Sequence, residues 1–82
     1  MVPPSLPLEV TKEEADFGFD VAEEPSGVRA VVRELRVGLR AVKVLTDHGT
    51  VEYAICDEQL RAIYPSAKSL DELRARFPVL RS

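Results

Sequence analysis

Cys56, His48 and Asp47 are the residues of this 82-residue chain whose types could begin covalent or acid–base chemistry. A cysteine nucleophile acts as its thiolate, which neighbouring positive charge favours. Cys56 is instead followed by Asp57 and Glu58, two acids that disfavour the thiolate. It reads more plainly as a small apolar residue at the end of a strand. The neighbours Asp47 and His48 could orient an imidazole for proton transfer. Adjacent residues in a tight turn rarely point at one another, however, and a solvated turn is the simpler reading. One thiol and one histidine cannot build a protein-only structural zinc site, which usually takes four ligands.

The remaining chemical motifs are equally sparse. Glu13, Glu14, Asp16, Asp20, Glu23 and Glu24 could offer oxygen ligands to a hard cation, but Asp16 and Asp20 lack the spacing of a calcium loop. A solvated acidic segment accounts for them. Glu58 with Arg61, and Asp71 with Arg74, are ordinary helix pairs at i, i+3. Gly18, Gly27, Gly38 and Gly49 stand singly, so no glycine-rich phosphate cradle is present. No catalytic residue, metal ligand or cofactor is assigned on these grounds.

Charge is sorted more distinctively than chemistry. Residues 1–25 hold seven acids and one base, residues 26–46 five bases and one acid, and the rest six acids and five bases. The basic group is Arg29, Arg33, Arg36, Arg40 and Lys43. Arginine's forked donors match phosphate, so the stripe could meet nucleic acid. Against this stand an acidic isoelectric point near 5.1, the lack of an aromatic residue among the arginines for base stacking, and the absence of an RNP1 pattern in 51–56. A protein-partner surface anchored by arginine fits better, and a solvated face answered by the acidic N-terminal segment is the plainest alternative.

Size and composition set the frame. One small domain is expected, and a chain this short buries only about 60–65% of its unfolded surface. Cys56 has no second cysteine to bridge, which suits a reducing cytosol. No apolar run approaches the roughly 20 residues of a spanning helix. The first seven residues lack the basic start and long apolar core of a signal peptide. Asparagine is absent and Gln59 is single, a balance shared by heat-adapted chains and GC-rich genomes.

The elements that would position these residues follow from pattern. Residues 1–10, with three prolines, read as an extended arm before one domain at 11–82. Thr11 and Glu14 match a capping box. Phe17, Phe19 and Val21 alternate as in a strand, and 24–27 as a turn. Val28, Val31, Val32, Leu35, Leu39 and Val42 recur at helical spacing. This predicts a helix capped by Ser26 and ended near Val37 by Gly38, with the basic residues on its neighbouring stripe. The valine content opposes a longer helix, so 39–46 is expected to be a strand. It turns at Thr46–Thr50, with Gly49 in the left-handed position, into a strand at 51–56. Leu39, Ala41 and Leu45 then share a face with Val51, Tyr53 and Ile55, interrupted by Lys43. Asp57 predicts a cap for a helix at 58–63, and Ser69 one for a helix to Phe77. Val79–Leu80 would form a last edge strand.

This order predicts an α+β fold, a small βαββα(β) ferredoxin-like sandwich with helices on one face of an antiparallel sheet. Exposed edges in such a sheet suggest a homodimer. The expected function is a non-enzymatic cytosolic protein-interaction or regulatory module. Its partner surface would be Arg29, Arg33, Arg36, Arg40 and Lys43 on the helix, with nucleic acid as the alternative ligand.

Overall fold

The computed structural model describes residues 6–23, 27 and 29–77. Five strands form one antiparallel sheet in chain order: β1 (Asp20–Glu23), β2 (Arg29–Arg36), β3 (Leu39–Leu45), β4 (Val51–Cys56) and β5 (Ala62–Ala67). A short helix α1 (Lys12–Phe17) precedes the sheet, and α2 (Leu70–Arg76) follows it. This meander replaces the expected ferredoxin-like sandwich, because the helix predicted between Ser26 and Val37 does not form. The turn expected at 24–27 falls outside the described residues apart from Gly27, and so does the strand expected at Val79–Leu80.

The predicted helix is β2, and the reason is that apolar side chains cover both of its faces over Ala30–Val32. Val31 and Leu35 enter one core with Phe19, Leu39, Ala41, Tyr53, Ile55 and Leu73. Ala30 and Val32 enter a smaller cluster on the opposite face with Val42 and Cys56. A strand covered on both sides carries apolar residues without strict alternation, and here their positions imitate helical spacing. An irregularity between Glu34 and Arg36 further breaks the two-residue period. The β-branched valines then pair across strands, Val31 with Val21 and Val32 with Val42, where their shape packs well.

The helix expected at 58–63 is also absent. Asp57 caps a turn instead. Its carboxylate accepts the N–H groups of Gln59 and Arg61, each at 2.9 Å, which holds its pKa below the ordinary carboxylate value. Leu60 takes a left-handed backbone (φ 61°), and the chain leaves as β5. An aspartate that can begin a helix can equally close a loop with the same bonds.

Other local expectations match the structure. Thr11 and Glu14 form a reciprocal capping box, and Ser69 accepts the Glu72 N–H to cap α2. The β3–β4 hairpin turns through Gly49 at φ 81°, with Lys43 opposite Tyr53 and Ala41 opposite Ile55. Side chains of both helices join the larger core, Phe17 from α1 and Leu70 and Leu73 from α2.

Both outer strands carry devices that discourage pairing with another strand. In β1 the Asp20 carboxylate accepts the Val21 N–H at 2.8 Å, and acids stand at both ends of the strand. In β5 Pro65 has no N–H to offer, and its carbonyl accepts Arg76 Nη1 at 2.6 Å. Edge pairing, the basis for expecting a homodimer, is therefore disfavoured.

Candidate functional site: a groove between the two helices

The site is built on a buried polar trio. Glu14, on the inner side of α1, is 2% exposed, and Lys43 on β3 is 4% exposed. Glu14 Oε1 accepts Lys43 Nζ at 2.9 Å and the Thr11 N–H at 2.9 Å, while Oε2 accepts the Tyr53 hydroxyl at 2.6 Å. Lys43 Nζ donates a further bond to the Glu9 carbonyl at 2.7 Å. Burial raises the Glu14 pKa, but the bonds from Tyr53, Lys43 and Thr11 together hold it below the ordinary value. Burial, then the bond to Glu14 and its charge, push the Tyr53 phenol well above the usual range. The trio thus holds a carboxylate, an ammonium and a neutral phenol, each hydrogen-bonded, as buried polar groups must be.

The far end of α1 is held by Arg33, whose Nε donates to the Phe17 carbonyl at 3.1 Å. This places a cation at the helix C-terminus, where the dipole favours it. Gly18 makes the approach possible. Its backbone is left-handed (φ 107°), and a Cβ there would come within 2.6 Å of Arg33 Nε.

Above Tyr53 the two helices leave an open groove of about 600 Å³. Its apolar surface comes from Phe17, Val51, Leu70 and the Tyr53 ring. Glu13 and Asp16 stand on the α1 side, and Lys68, Asp71 and Arg74 on the α2 side. The Arg74 guanidinium lies 5.3 Å from the centre of the Phe17 ring, a cation–π contact that joins the two walls.

The structure does not gather the five basic residues expected to form one surface. Lys43 is spent in the buried trio, and Arg33 is half-buried against α1. Arg40 is half-buried and faces the other side of the sheet, opposite Glu34. Arg29 and Arg36 are exposed near opposite ends of β2. With the helix gone, its arginine face goes too. Asp47 and His48 sit together on the β3–β4 turn, while buried Cys56 lies at the other end of β4. These three residues share no site. Among the described residues no group of three or more potential metal ligands lies close together, and no helix is long and apolar enough to cross a membrane.

The groove was not foreseen from sequence, since α1, β4 and α2 each contribute only two or three of its residues. One signal did point to it. A lysine on an otherwise apolar sheet face requires a buried anion, and Glu14 of the capping box is available to supply one. Compared with family models, curated proteins and solved structures, the chain matches none.

Proposed function

We propose that this protein is a small non-enzymatic interaction module that docks a segment of a protein partner in the groove between α1 and α2. The groove itself carries this reading. It offers an apolar floor with charged groups at its rim, the composition of a recognition surface. Its walls are held firmly, α1 by the trio and α2 by buried Leu73. A wall that is already ordered loses little entropy when a ligand binds.

Selection from a random peptide display library against the folded chain tests the proposal. Val51→Arg would fill the groove from a position that is 37% exposed, so folding should survive, as checked by circular dichroism. The expected result is enriched peptides that compete for one site and are lost together in the variant. No enrichment, or peptides that the variant retains, would overturn the reading.

A further inference from the structure

Two charged residues on the groove stand where their own helices do not reward them. Asp16 lies in the last turn of α1, which has no basic residue, and the dipole disfavours a carboxylate there. Lys68 directly precedes Ser69, the N-cap of α2, where the dipole disfavours a cation. Both are exposed, and neither makes an ion pair among the described residues. By contrast, Glu13 and Asp71 occupy first turns, where the dipole explains them without a ligand. Arg74 is engaged with the Phe17 ring. Locally costly residues facing a groove are expected where a site has been built for something outside the chain.

We infer that the groove recognises an extended peptide segment in which a large apolar side chain is followed by a lysine or arginine. This rests on the groove being the docking site. The apolar side chain settles against Val51, Leu70 and the Tyr53 ring. The following side chain of an extended segment points away from the floor, and the long stem of a lysine or arginine lets its charge bend back to the rim, where Glu13 and Asp16 form the acidic wall of α1. Lys68, on the other wall, is left to donate to a carbonyl of the segment's backbone, since such a segment presents carbonyls along both sides. An anionic residue at the second position would meet Glu13 and Asp16 as like charges, which costs affinity.

Titration of the isotope-labelled full chain at low ionic strength tests this, followed by amide shifts. Three synthetic hexapeptides serve as probes, Gly-Ser-Leu-X-Gly-Ser with X as lysine, glutamine or glutamate. All should move the amides of Asp16, Tyr53 and Leu70. The lysine peptide should bind about fivefold more tightly than the glutamate one, the size of one or two rim charge pairs. Asp16→Lys should reverse that order while keeping the fold, since a cation suits the last turn of α1. Equal binding of the three at the groove would overturn the charge rule and leave the docking site standing. Shifts elsewhere, or none at about millimolar peptide, would overturn both.

Discussion

Two helices of similar length join the same core by opposite means. α1 is fastened by a charge, Glu14, whose oxygens receive Lys43, Tyr53 and the Thr11 N–H. α2 is fastened by grease, with Leu73 0% exposed and Leu70 and Phe77 packed half-buried beside it. An apolar plug tolerates small rotations and shifts, because its attraction is not directional. A hydrogen-bonded ion pair fixes both position and orientation, but it must offset the loss of hydration of two charges. Precision is therefore built into one wall of the groove more than the other. The wall bearing Asp16 is held by buried directional bonds, and the opposite wall by packing with one exposed bond from Arg76 to the Pro65 carbonyl.

Removing one member of the polar fastening should have the largest effect. Lys43→Ala leaves Glu14 buried without its cation and the Glu9 carbonyl without its donor. Breaking such a pair costs about 3–5 kcal/mol, against a total of about 5–15 kcal/mol for a typical domain. Urea unfolding should therefore show a severely destabilised or unfolded chain. Replacing both charges by apolar residues of similar size, Glu14→Leu with Lys43→Met, should recover only part of that loss, because the buried Tyr53 hydroxyl has then lost its acceptor. If the double variant is as damaged as the single one, packing cannot replace the pair, and α1 depends on its buried charge in a way that α2 does not.

Acid should distinguish the two fastenings next. Glu14 has a folded-state pKa below its ordinary 4.5. The unfolded chain therefore takes up a proton first as pH falls. The contribution of Glu14 is complete above about 4.5 and is lost as pH drops through the folded value. Tyr53 works at the other end. Its pKa is raised above the ordinary 10, so stability declines as pH rises beyond about 10, where the unfolded chain ionises first. Leu73→Ala should lower stability by about 2–5 kcal/mol and leave both slopes unchanged. The Glu14→Leu, Lys43→Met pair should flatten the acid slope. Equal acid slopes in the pair and the parent would show that Glu14 does not carry this dependence.

The same contrast explains what was legible in the sequence. Features closed within a few residues could be read: the Thr11–Glu14 box, the Ser69 cap and the hairpin turning at Gly49. The register that sets Lys43 among apolar neighbours and across from Tyr53 was also legible, because β3 and β4 alternate cleanly around one short turn. Residues 29–35 misled because apolar side chains on both faces at Ala30, Val31 and Val32 remove the alternation by which a strand is recognised. Asp57 misled because its side chain serves a cap and a loop alike. The candidate site lay further out of reach. The partners of Lys43 are Glu14 and the Glu9 carbonyl, 29 and 34 residues away, and nothing local specifies that meeting. The arginines drew attention by number, yet Arg33 serves the end of α1 and Lys43 its centre.

The two helix caps contribute least. Thr11 and Ser69 each accept one backbone N–H at the start of their helices, at 3.2 and 3.1 Å, and either loss to alanine should cost about 0.5–2 kcal/mol. The two should nonetheless differ. The Ser69 bond stands on exposed surface, and its loss leaves Leu73 in place to hold α2. Thr11 also gives its own N–H to Glu14 Oε1, the oxygen that receives Lys43. Freeing the first turn of α1 loosens that carboxylate within the trio. Thr11→Ala should therefore cost more than Ser69→Ala and shift the acid transition, whereas Ser69→Ala should lower stability equally at every pH. Identical losses with identical pH profiles would mean that the box and the trio are independent, and that α1 is held by its buried charge without help from its cap.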